Sequence, residues 1–134
     1  EKIFEAEEIE AELAAYNPLI PDGSNWKATF MIEYTDASER KQALARMLGI
    51  ESKVWLKVDG FNKVLPVADE DIERQTEEKT SSVHFLRFEL SLEMIEALKL
   101  GNQLSAGINH AVYEYTVDPV PLNIRASLMK DLDY

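Results

Sequence analysis

The chain contains no cysteine, which excludes disulfides, thiol nucleophiles and zinc–thiolate sites. It has only two histidines, His84 and His110, so a transition-metal site would lean on carboxylates, an atypical donor set for tight binding. Neither histidine follows a glutamate by three positions, which removes the helical di-metal carboxylate pattern. A Gly-rich phosphate loop, a metalloprotease His pair and a calcium loop are also missing. No apolar run approaches bilayer length and no segment reads as a signal peptide. No Gly/Ser/Pro-rich linker or internal repeat divides the chain. Neither a metal nor a cofactor is expected, and the absence of thiols fits a reducing, cytoplasmic location.

What the chain has is acid and a sufficient core. Its 134 residues are 46% apolar, a size that buries roughly two-thirds of the unfolded surface. The net charge is −11, of which −5 lies in Glu1–Glu12 and −4 in Asp69–Lys79. These segments repel phosphate backbones and anionic lipid, so neither nucleic acid nor a membrane is the expected partner. A basic protein or a cation fits better.

Apolar residues at helical spacing predict a helix over 1–16, with Glu1, Glu5, Glu8 and Glu12 as an acidic stripe and Asn17-Pro18 as its stop. Trp26 to Tyr34 alternates as a strand with one buried side. Asp36-Ala37-Ser38-Glu39 resembles a capping box, opening a helix that runs to Leu48 before Gly49. Val54 to Val67 reads as a hairpin turning at Asp59-Gly60, with Val58 opposite Phe61 and Trp55 facing away from the core. The stretch Asp69–Lys79 has Ile72 as its single apolar anchor and reads as a short exposed helix or a mobile loop.

Ser82 to Leu90 is apolar on both faces, as a central strand should be. Ser91 caps a helix to Leu100 with Leu92, Ile95 and Leu98 inward and Gly101 as its stop. Leu104–Ile108 and Tyr113–Val117 read as strands around a break at Asn109-His110. A last helix follows Asp118, with Pro119 and Pro121 in its first turn and Ile124, Leu128, Met129 and Leu132 inward. The expectation is a single α+β domain over 1–134, with a largely antiparallel or mixed sheet and helices packed against it. Because it begins at Glu1 rather than Met, the chain also reads as a processed or trimmed piece of something longer.

His84 is the leading candidate for chemistry, as a general base or ligand with Ser82 on the same strand face. The competing reading is a histidine satisfied within a sheet. Arg87 and Glu89 fall on the opposite face, where they would orient an anionic ligand or form a plain ion pair. His110 is either the rim of a pocket shared with Tyr113 or Tyr115, or a turn residue. The Ser82–His84 pair lacks an identifiable acid, so a hydrolase triad is weak. Trp55 and the stripe Glu1, Glu5, Glu8 and Glu12 are the interface candidates, a solvated helix face being the bland alternative for the stripe.

Two long motifs carry a resemblance, Tyr16-Asn17-Pro18-Leu19-Ile20-Pro21-Asp22-Gly23 and Glu77-Glu78-Lys79-Thr80-Ser81-Ser82-Val83-His84-Phe85-Leu86-Arg87-Phe88-Glu89-Leu90. Val54-Trp55-Leu56 and Val117-Asp118-Pro119-Val120-Pro121 add to it. Over nearly its whole length the chain resembles an uncharacterised bacterial family known only as a domain of unknown function. The resemblance implies a longer protein with a basic segment ahead of Glu1. It also implies genes near those of rubrerythrin-like and iron–sulfur oxidoreductases, and hence an accessory role in redox or peroxide defence. It supplies no catalytic residue. The chain departs from the family pattern at His110-Ala111, where a proline commonly follows the histidine.

Two functions are therefore expected to compete. The first is a non-enzymatic accessory or protein-interaction domain, acting on another protein or as a homodimer, in a bacterial redox or oxidative-stress system. The second is a small-ligand or metal-binding domain, or an enzyme, centred on Ser82, His84 and His110.

Overall fold

The structure is a computed structural model that describes residues 20–132. The expected first helix and its acidic stripe lie outside the described residues. The order of elements is β1 (Asn25–Met31), α1 (Ala37–Arg46), a 3-10 turn (Ile50–Ser52), β2 (Val54–Val58), β3 (Val67–Ala68), β4 (Val83–Glu89), α2 (Leu92–Lys99), β5 (Leu104–His110), β6 (Tyr113–Val117) and α3 (Leu122–Met129). The strands form two three-stranded sheets, β1-β4-β3 and β2-β5-β6, with every pairing antiparallel. The fold is α+β, as the sequence predicts.

Topology repeats where the sequence does not. Strand β1 leads through α1 into β2, and β4 leads through α2 into β5. In each case a strand of the first sheet is carried by a helix into the second, and β1 pairs with β4 as β2 pairs with β5. The helix boundaries follow local chemistry. The Asp36 carboxylate accepts from the Ser38 N–H at α1, and the Ser91 hydroxyl accepts from the Met94 N–H at α2. Past α2, the Arg125 guanidinium of α3 donates to the Leu98 and Asn102 carbonyls, tying α3 to the end of α2 where Leu98 also accepts from the Gly101 N–H.

Two apolar clusters hold the sheets and helices together. One joins Trp26 of β1, Val58 and Leu104 of the second sheet, and Ile95 and Leu98 of α2. The other gathers Ile32, Ala43, Leu44, Met47 and Ile50, with Ile108 of β5 against it. The Trp26 indole N–H donates to the Leu128 carbonyl at 2.9 Å, pinning α3 onto β1.

Several local expectations are corrected. The hairpin after β2 bridges Leu56 to Val64, so its register is shifted by one residue from the Val58–Phe61 pairing. The chain then leaves for the first sheet as β3, with Leu65 and Val67 exposed. Trp55 is buried, not exposed. Its cross-strand partner is Gly107, and a Cβ there would lie 2.6 Å from the indole ring. The ring lies across that glycine, beneath the Lys63 ammonium at 4.4 Å. Strand β5 continues through His110, and the hairpin turns at Ala111-Val112 instead of Asn109-His110. Pro121 caps α3 from outside it, and Leu92 and Ile124 face solvent.

Candidate functional site

Strand β4 is the middle strand of its sheet, so its even positions His84, Leu86 and Phe88 are all buried. The His84 ring is 0% exposed. Its Nδ1 lies 2.5 Å from the Asp69 carboxylate Oδ2, and its Nε2 lies 2.8 Å from the Thr80 hydroxyl. A carboxylate only accepts, so Nδ1 carries a proton, and in the neutral ring Nε2 accepts from the Thr80 O–H. Glu51 on the 3-10 turn brings its Oε2 to 3.9 Å from Nε2, and that oxygen is buried without a hydrogen-bond partner.

Asp69 serves several partners at once. Its Oδ1 accepts from the Phe85 N–H at 2.9 Å and from Arg74 Nη1 at 3.2 Å, and its own N–H donates to the Phe85 carbonyl. It does so at φ 51°, the one non-glycine residue with positive φ among the described residues. An aspartate tolerates this region better than most side chains, and the surrounding bonds hold it there.

The acidic segment, which the sequence assigns to a short exposed helix or a mobile loop, is a loop rather than a helix, and these contacts tie it to β4. Arg74 grips Asp71 with two bonds, 2.6 and 2.8 Å, while its guanidinium lies 4.7 Å over the Phe85 ring. The Gln75 side chain accepts from the Gly49 N–H, and Gln75 bridges to Thr80 in antiparallel fashion. A tight turn at Thr76–Lys79 is closed by the Thr76 hydroxyl, which accepts from the Glu78 and Lys79 N–H groups. Ile72, the predicted anchor, is 60% exposed. The anchors are polar: Asp69, Arg74, Gln75 and Thr80. A shallow depression of about 410 Å³ runs between this segment and Glu51.

On the opposite face of β4, Arg87 is occupied. It forks onto Glu70 at 2.9 and 2.7 Å and also bonds Glu89, which accepts in turn from Asn25. An anion-orienting role for Arg87 and Glu89 would first have to break this network. The fork holds the Glu70 carboxyl below its usual range, and the Arg74 grip holds Asp71 far below. Both guanidinium groups are correspondingly harder to deprotonate.

No hydrogen bond among the described residues links Ser82, His84 and His110. The His110 Nε2 donates to the Leu48 carbonyl at 2.7 Å, tying the β5–β6 hairpin to the chain just past α1, and its Nδ1 accepts from the Val112 N–H within the turn, so both ring nitrogens are used. Ser82 lies just before β4, where its carbonyl accepts from the Ile32 N–H and it borders a depression with Tyr34 and Arg40. Neither shares a hydrogen-bond partner with the His84 ring. Sequence reasoning finds His84 by strand parity and misses Asp69, Thr80 and Glu51. Thr80 lies four positions from His84, outside the strand pattern, and the other two arrive through tertiary structure. Among the described residues, no group of three or more acidic or histidine side chains is placed to hold a metal ion. No described helix is long and apolar enough to cross a membrane.

Fold and site together define a small α+β domain of two antiparallel sheets, with a sealed carboxylate–imidazole–hydroxyl relay that secures an acidic segment. The chain belongs to the family described as a protein of unknown function, DUF3501, which matches residues 1–132. It is similar to a solved structure from Burkholderia pseudomallei described as a novel protein of unknown function, at 52% identity and a TM-score of 0.86. That match covers 98% of this chain and 68% of the other. No curated protein matches the chain.

Proposed function

We propose that the chain is a non-enzymatic accessory domain that docks a basic protein partner through the acidic segment Asp69–Lys79. The observation that carries this is the set of polar contacts that tie the acidic loop to β4 and to Gly49. The segment is fixed at Asp69, Arg74, Gln75 and Thr80, while Glu73, Glu77 and Glu78 stay exposed and make no ion pair among the described residues. A charged surface held in one shape loses less entropy on binding than a mobile one, and acidic charge steers basic partners. The gene neighbourhood that the family resemblance implies supports a partner from a bacterial redox or oxidative-stress system. Affinity capture from a native lysate tests the proposal, with the wild type beside a Glu73→Lys/Glu77→Lys/Glu78→Lys variant. A protein held by the wild type, released by salt and not held by the variant is expected. Equal retention by both, or none by either, would sink it.

A second reading is an enzyme built on Asp69, His84 and Thr80, favoured by the hydroxyl–imidazole–carboxylate order of a nucleophilic triad. Against it, Thr80 is 2% exposed and the ring fully buried, so no substrate reaches the hydroxyl without local opening.

A further inference from the structure

Strand β6 is an edge, and the hydrogen-bond phase of its sheet says which of its backbone groups are free. The Asn109 N–H donates to the Lys53 carbonyl and the Asp59 N–H donates to the Gln103 carbonyl. With the register of β2 on β5, the odd residues of β5 therefore bond to β2. The even residues are left to bond the other side, where His110, Ile108 and Ala106 face Tyr113, Tyr115 and Val117. So Tyr113, Tyr115 and Val117 of β6 spend their backbone groups on β5. The N–H and C=O of Glu114 and Thr116 point outward, and among the described residues β6 has no second neighbour.

We propose that this edge pairs with the same edge of a second copy, antiparallel, with the two-fold axis at Tyr115. That register sets Glu114 opposite Thr116 of the second copy on both sides of the axis, so the outward groups exchange four hydrogen bonds. The neighbouring registers are worse. An axis at Glu114 puts two glutamates face to face, and an axis at Thr116 sets Glu114 against Asp118, like charges in both cases. Charge permits self-association here, because −9 of the net −11 belongs to Glu1–Glu12 and Asp69–Lys79, and β6 carries only Glu114.

The side chains fit as well. Tyr113 and Tyr115 share the face of Val117, which packs on the core, yet they are 45% and 59% exposed. Two copies about this axis place the Tyr115 rings opposite each other in a non-hydrogen-bonded pair, the closer of the two cross-strand spacings. The inference stands on backbone phase and register, independent of the acidic segment.

Because the chain lacks cysteine, one introduced thiol tests the register. Directly opposed residues in a non-hydrogen-bonded pair lie about 4.5 Å apart at Cα, within disulfide range. Light scattering of the full chain at a few hundred micromolar is expected to give about twice the 15.3 kDa protomer mass. Under oxidised glutathione, Tyr115→Cys is expected to cross-link into a dimer, with Glu114→Cys and Thr116→Cys at least ten-fold slower. Thr116→Pro removes an outward N–H without touching a β5 bond, and it is expected to give the protomer mass with an unchanged circular dichroism spectrum. A monomeric wild type would overturn the proposal. So would a dimer that Thr116→Pro leaves intact, or cross-linking equally fast at all three positions. If Thr116→Pro fails to fold, the cross-linking ratio alone decides.

Discussion

Asp69 holds its left-handed backbone because four bonds converge on it, two with the Phe85 backbone, one from His84 and one from Arg74. Removing the imidazole leaves a buried carboxylate and a buried hydroxyl without their partner. His84→Asn is therefore expected to destabilise the fold by about 2–4 kcal/mol, read from denaturant unfolding. Thr80→Val removes only the hydroxyl and is expected to cost about 1–2 kcal/mol in the same measurement. A larger loss for Thr80→Val than for His84→Asn would contradict the hierarchy drawn here. Gly107→Ala tests a different contact, because its methyl would meet the Trp55 ring and the Tyr115 carbonyl at 2.6 Å. It is expected to cost roughly 1–3 kcal/mol by overpacking. Strand parity made His84 legible in the sequence. It left Asp69 hidden, since a contact across 15 residues depends on how β3 enters the sheet.

Elements with strong local signals were legible. The caps at Asp36 and Ser91, the left-handed Gly49 and the two-faced strand β4 all depend on neighbours a few residues away. The hairpin after β2 was not, because Val64 pairs at a single bridge before the chain crosses to the other sheet. Trp55 was misjudged because alternation assigns it an outer face without knowing that a glycine and a lysine there make a niche. The choice between helix and loop for the acidic segment stayed open because its anchors are polar and an apolar pattern cannot see them. Its ion pairs also give it a pH dependence. Glu70 and Asp71 titrate below their ordinary values of 4.5 and 3.8 because Arg87 and Arg74 bind their charged forms. A carboxylate lowered in the folded state contributes stability above its unfolded value and loses it as pH falls through the folded one. The segment is expected to stay ordered at neutral pH and to loosen progressively below about pH 4. Amide spectra of residues 69–80 taken along an acid titration would show this, and an unchanged spectrum at pH 2 would contradict it.

For the whole molecule, charge and topology divide the surface. Acid is concentrated in two stretches of sequence, and the described one is clasped to β4 by the buried relay, while the near-neutral edge β6 lies on the other sheet. The sequence made the α+β class and the charge distribution readable. It did not show that the helices carry the chain twice between two sheets, because strand-to-strand partnership is set at long range. The central claim is that the polar groups around His84 serve to hold the acidic segment in one shape. Hydrogen exchange of the wild type against His84→Asn measures that most directly. The amides of Thr76, Lys79, Thr80 and Phe85, each engaged in a bond in this region, are expected to be protected in the wild type. In His84→Asn they should lose that protection by an order of magnitude or more while the β5 and β6 amides keep theirs. Equal protection of the segment in both proteins would contradict the claim.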